Sequence, residues 1–222
     1  MAKSYSPLVT QLSDLKDLNK FLKLNCTEYY IDKKNYVLMR ANNPNIIRIG
    51  KINHDDCDVS LYHCYLISAV NMTTFCTKYT KTNTEGKISN GKLILEDSKK
   101  DINIELSTLN DQQLDNLMIE FYHNPELIEM LPRLFKIIFN EDYTMDQFTK
   151  FTDDEFNTIV NKEAIMINNE VYISRAILDL SKANSAYWMH LDIDDIWKDY
   201  MLFKVSYSSV DIYTLVAYVR PE

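Results

Sequence analysis

Glycine is nearly missing from this chain: its 222 residues include only 3. That excludes a glycine-rich phosphate loop, a collagenous segment and a flexible glycine linker, and no G-x-G-x-x-G or P-loop pattern occurs. Long apolar runs are also lacking. No stretch is long enough to span a membrane, and Met1-Ala-Lys-Ser-Tyr5 has no apolar signal core, so a cytoplasmic protein is expected. Cysteine is sparse, at 4, and Cys26, Cys57, Cys64 and Cys76 show no C-x-x-C spacing. In a reducing compartment they read as small core residues.

Histidine is equally scarce. His54, His63, His123 and His190 lie in no motif that would pair a base with a nucleophile, so no catalytic residue is assigned and an enzyme is not expected. His54, Cys57, His63 and Cys64 are zinc-type ligands close in sequence. However, His63 and Cys64 are adjacent and would point to opposite faces of a strand. Asp192, Asp194 and Asp195 form an acidic cluster. Two carboxylates of an extended 192–194 segment could hold Mg²⁺ for a hydrolase or nuclease, but capping of a short helix before Trp197 is the simpler role. No metal and no cofactor are expected.

What the chain does have is a distinctive placement of lysine. The formal net charge is -8, yet no Asp or Glu occurs between Asp58 and Glu85. Over residues 6–25, Leu8, Leu12, Leu15, Leu18 and Leu22 share one side of a helix. At about 100° per residue, Lys16, Lys20 and Lys23 fall within about 60° of arc beside that side. A second helix over 68–81 sets Met72, Phe75, Cys76 and Tyr79 against Asn71, Thr74, Lys78 and Lys81. Two acid-poor lysine faces on an acidic body suggest a local surface for a polyanion, although lysines also commonly do no more than solvate a helix. Arg40 and Arg48, and Arg175 and Lys182, are expected to add positive surface charge.

The rest reads as an α+β chain. Strands are expected at 27–31, 36–40, 46–52, 57–66, 87–89, 92–96 and 101–106, with Asn90-Gly91 as a hairpin turn. The middle changes character, with helices over 110–122 and 126–139, the second interrupted at Pro132. Asn110 with Gln113 resembles a capping box, as does Thr152 with Glu155. Later strands are expected at 143–151, 164–167, 170–174, 186–191, 201–207 and 212–219. The order helix, strands, helix, strands divides the chain into 1–108, a helical connector 109–142, and 143–222.

Three runs then resemble a known family: Tyr36-Val-Leu-Met-Arg-Ala41, Cys57-Asp-Val-Ser-Leu-Tyr62 and Gly91-Lys-Leu-Ile-Leu-Glu-Asp97. Their order and spacing are similar to the first domain of DNA sliding clamps of the tailed-phage type, viral relatives of proliferating-cell nuclear antigen. Tyr200-Met-Leu-Phe-Lys-Val-Ser-Tyr207 and Asp211-Ile-Tyr-Thr-Leu-Val-Ala-Tyr218 resemble closing clamp strands. The resemblance implies two similar domains, each of antiparallel sheets with two helices on an inner face. It also implies a homotrimeric ring in the host cytoplasm, encircling double-stranded DNA as a polymerase processivity factor. Lys16, Lys20, Lys23, Lys78 and Lys81 would then face DNA. Peptides of the DNA polymerase and the clamp loader would dock near Leu106, Leu109, Tyr213 and Leu215. The chain departs from the family in its helical connector and its short, lysine-poor second half. The alternative is a viral host-takeover or transcription accessory factor that acts by protein interaction.

Overall fold

A computed structural model describes residues 7–33, 36–43, 45–53, 61, 63–80, 82, 86–97, 99–122, 125–139, 145–161, 163–167, 171–174, 176–191 and 200–217. The first helix expected from the sequence is broken in three: α1 (Pro7–Asp14), a 3-10 turn (Lys16–Leu18) and α2 (Asn19–Asn25). Leu15 and Leu18 both stay buried across the break, on the apolar side that Leu8, Leu12 and Leu22 share.

Strands β1 (Cys26–Ile31), β2 (Tyr36–Ala41) and β3 (Ile46–Ile52) follow as an antiparallel meander. β4 (Cys64–Ser68) returns against β1 and leads into α3 (Ala69–Lys78). Ser68 caps α3, accepting from the amide of Asn71 at 3.3 Å. A three-stranded sheet follows: β5 (Lys87–Ser89), β6 (Lys92–Leu95) and β7 (Ile102–Glu105). Its first turn is Asn90-Gly91, whose φ values of 51° and 70° are those of the expected tight hairpin. β8 (Ser107–Leu109) then joins β4.

Both connector helices form, as α4 (Asp111–Phe121) and α5 (Pro125–Ile138). Asn110 and Gln113 cap α4 reciprocally, at 2.9 Å each way. Contrary to expectation, Pro132 does not interrupt α5. A proline inside a helix costs about 3 kcal/mol. Here it sits on the exposed side, while Leu127, Met130, Leu131, Leu134, Ile137 and Ile138 are buried, each burial contributing about 1.5–3 kcal/mol.

The strand expected over 143–151 is largely replaced. A 3-10 turn (Met145–Gln147) leads to a two-residue β9 (Thr149–Lys150). α6 (Asp153–Val160) opens on the Thr152–Glu155 capping box. β10 (Ile165–Ile167) and β11 (Val171–Ile173) pair as a hairpin. β12 (Ser185–His190), β13 (Tyr200–Ser206) and β14 (Val210–Ala217) close the fold.

Among the described residues, nine strands make one antiparallel sheet in the order β8-β4-β1-β2-β3-β14-β13-β12-β9. Early and late parts of the chain meet at β3 and β14, paired from Val210↔Ile52 to Val216↔Ile46. Alternation then assigns each side chain to a face. One face carries Tyr29, Ile31, Val37, Met39, Tyr65 and Ile67 under α1, α2, α3 and the β5–β7 sheet. Farther along the same face, Ala186, Met201, Phe203 and Val205 lie against α6 and the β10–β11 hairpin. The opposite face holds Tyr30, Leu38, Ile49, Leu202, Tyr213 and Leu215 beneath α4 and α5. The fold is therefore α+β with antiparallel sheets. The layer bearing α1, α2, α3 and α6 is on one side and the connector helices are on the other.

Candidate nucleic-acid interface

α3 runs antiparallel to the α1–α2 segment. The Lys16 ammonium reaches the Tyr79 carbonyl at the end of α3, while β1 and β4 bring Glu28 opposite Ser68 at its start. Lys20 and Lys23 on α2 and Lys78 on α3 are exposed on this paired-helix layer. α3 itself contains no acid. Its Thr73, Thr74 and Thr77 hydroxyls donate back to the carbonyls of Ala69, Val70 and Thr73 at 2.8–3.0 Å, so these polar groups are already engaged within the helix.

Lys16 differs from the other lysines. It is half-buried, donates to the Tyr79 carbonyl at 3.2 Å and lies 5.1 Å from the centre of the Tyr79 ring. A cation there offsets the negative end of α3. Beside it, burial pushes the Cys76 thiol up to about 11, against the opposing pull of Lys16. Cys76 is therefore a neutral packing residue at ordinary pH. Lys81 lies outside the described residues.

The arginines expected to add surface charge do not all do so. Arg48 is only 1% exposed, buried between the two helix-bearing regions. Arg40 is half-buried and paired with Glu28 at 3.0 Å. Lys182 is exposed and meets Asp17 at 3.5 Å. Arg175 lies outside the described residues. A lysine in the middle of an amphipathic helix announces its exposure by periodicity, whereas an arginine in a strand does not, because both sheet faces are covered here.

The residues expected to meet partner peptides are divided between the two faces of the sheet. Leu106 is buried in the cluster under α1–α3. Leu109 packs at the margin of the cluster beneath α4 and α5, where Tyr213 and Leu215 are buried. Burial first, then the neighbouring Asp211, raises the Tyr213 phenol well above its ordinary range. The sequence did not reveal the cavity of about 320 Å³ beside Leu109, lined also by Lys33, His63, Cys64, Thr108, Asn110 and Gln113. Behind its wall the buried Asp32 carboxylate accepts from the Tyr30 hydroxyl at 3.0 Å and the Cys64 thiol at 3.6 Å.

Among the described residues, no three His, Cys, Asp or Glu side chains stand where they could share a metal ion. His54, Cys57, Asp192, Asp194 and Asp195 lie outside those residues. No described helix is long and apolar enough to cross a membrane.

No protein-family model matches the chain, and no curated protein does. Solved structures similar to it include a DNA polymerase sliding clamp from Pseudomonas aeruginosa, at 8% identity over 95% of this chain and 64% of that one, with a TM-score of 0.38. The H. pylori β clamp in complex with diflunisal is 7% identical over 95% and 64%, with a TM-score of 0.42. The β chain of DNA polymerase III from Streptococcus pneumoniae is 9% identical over 93% and 63%, with a TM-score of 0.40. The chain spans somewhat under two thirds of the length of each.

Proposed function

We propose that this chain is a non-enzymatic DNA sliding clamp subunit, a processivity factor for a viral DNA polymerase, encircling double-stranded DNA as a homotrimeric ring. The observation that carries the reading is the sheet face that bears the lysine helices. α1, α2, α3 and α6 stand on one side of a continuous sheet, and Lys20, Lys23 and Lys78 are exposed on that layer in a chain of net charge -8. Lysines on such a layer meet phosphates without reading bases, and an acidic exterior keeps DNA off the remaining surface. Encirclement makes tight binding unnecessary, so retention needs only weak phosphate contacts from these lysines and sliding is preserved.

Among the described residues, the two end strands, β8 and β9, have no further partner at their outer edges. Eight antiparallel steps separate them, so they point the same way, and a head-to-tail contact would set them parallel. Such a contact closes into a ring when its rotation divides the circle. Of Leu106, Leu109, Tyr213 and Leu215, Leu109 borders a cavity, and polymerase and loader peptides would dock there, with Tyr213 and Leu215 in the core behind that face. Lys16 contributes by holding the end of α3, and Lys81 stays in the proposed DNA-facing set on its sequence alone.

The test is retention on nicked circular DNA across a salt series. The log–log slope falls by about 0.9 for each phosphate that is no longer neutralised. Lys20→Glu, Lys23→Glu and Lys78→Glu together should flatten it and abolish retention. Exposed changes of this kind alter stability by less than about 0.5 kcal/mol each. Unchanged retention by a folded triple variant would refute the assignment. A second reading, a viral accessory factor acting by protein interaction, is favoured by α4, where Ile119 is 60% exposed. Recovery of host enzymes on the chain, with no stimulation of long-product DNA synthesis, would select it.

A further inference from the structure

Arg48 sits on β3, opposite Met39 of β2 on one side and Thr214 of β14 on the other. It is therefore at the line where the early and late parts of the sheet join. One guanidinium nitrogen donates to the Asn25 carbonyl at 3.3 Å and the Cys26 sulfur at 3.8 Å. The other donates to the carbonyls of Ala176 and Ile177 at 3.2 and 3.1 Å. The group lies over Phe21, 5.1 Å from the ring centre.

These contacts have a common logic. Asn25 is the last residue of α2, and its carbonyl, at the negative end of that helix, also accepts from the Asn42 amide at 3.0 Å. In the late half, the amides of Ile177 and Leu178 both turn back to the Ser174 carbonyl. That tight turn leaves the carbonyls of Ala176 and Ile177 to point at Arg48. A guanidinium is a rigid fork with donors on two sides and serves both sets of carbonyls at once. Lysine, a single point donor, cannot span them with the same geometry. Among the described residues all partners of Arg48 are neutral, so its buried charge is held only by these carbonyls, the sulfur and the ring. Detaching either side leaves a buried cation under-satisfied, and the two attachments are therefore coupled.

One further tie braces the late side of this line, and a second crosses it. The Tyr207 hydroxyl donates to the Asp179 carbonyl, and Tyr207 packs at the margin of both clusters on this face. Lys182 donates to the Asp17 carbonyl at 3.3 Å, but both side chains are exposed and that tie is weak.

We infer that Arg48 is a positioning residue that locks the lysine-bearing helix α2 to the 176–180 segment, setting where Lys20 and Lys23 stand without itself meeting a ligand. The functional half of this inference rests on the DNA reading above.

The experiment compares full-length wild type with Arg48→Lys and Arg48→Met by hydrogen exchange and by the salt dependence of DNA binding. In Arg48→Lys, amides of 19–25 and 176–178 should exchange roughly tenfold faster, with β1, β2 and β13 unchanged, because local opening is released without global unfolding. The log–log salt slope should fall by about one, as one of the two lysines leaves its phosphate. Arg48→Met should show the same local pattern more strongly. A uniform rise in exchange along the chain, loss of folding in Arg48→Lys, or no change at 19–25 would overturn the tether. Faster local exchange with an unchanged slope would overturn the positioning role. If the wild type itself shows no salt-dependent DNA binding, the clamp reading falls, and the exchange pattern alone decides whether Arg48 couples the two segments.

Discussion

At the scale of the residue, Lys16 and Cys76 show how neighbours divide their roles. Burial raises Cys76 and Lys16 lowers it, leaving its pKa at about 11. Alkylation by iodoacetamide, followed by peptide mass spectrometry, should therefore be slow at pH 8 and rise about tenfold per pH unit toward 11. Lys16→Ala removes the lowering influence, so the rate at pH 9 should fall further. The sign for stability follows from the same shift. The unfolded thiol titrates near 9.0 and the folded one near 11. The contribution of Cys76 is thus fully present below pH 9 and is lost as the pH rises through 11.

At the scale of the element, α5 and α6 carry opposite lessons. α5 keeps a proline on its exposed side because its inner side is so thoroughly buried. Pro132→Ala should stabilise the protein, by up to about 3 kcal/mol, read from the urea midpoint at constant slope. A drop in stability would mean that the ring is needed to shape the helix against the sheet. α6 begins at a complete capping box, in which Thr152 accepts from the Glu155 amide and the Glu155 carboxylate accepts from the Thr152 amide at 2.8 Å. Thr152→Ala should cost about 1 kcal/mol by the same measurement. This cap and the Asn110–Gln113 cap of α4 were legible in the sequence because a cap joins residues three apart. The break in the first helix was not legible, since Leu15 and Leu18 keep the apolar side of an unbroken helix as well and no local pattern marks the change.

At the scale of the molecule, β3 and β14 decide how the chain behaves. Their antiparallel pairing makes one sheet of early and late strands, and the cluster beneath α4 and α5 draws on both. Calorimetry should therefore show a single unfolding transition, with calorimetric and van't Hoff enthalpies equal. Two resolved transitions would mean that the early and late parts unfold as separate units. Gly50 lies on this join, where a Cβ would come within 2.9 Å of the Met39 methyl and 3.3 Å of Ile212. Gly50→Ala should lower the transition temperature by crowding that seam, with little effect on circular dichroism.

Local periodicity and short-range chemistry determined the helices, most strands, the Asn90-Gly91 turn, the caps and the exposure of Lys20, Lys23 and Lys78. Each depends on residues a few positions apart. The tertiary structure alone decided that Arg48 is buried, that Lys16 caps a neighbouring helix, and that Leu106 lies across the sheet from Tyr213 and Leu215. Those outcomes depend on which strands pair and which face each helix covers. Both are set by contacts between residues far apart in the chain, whose partners no local pattern names.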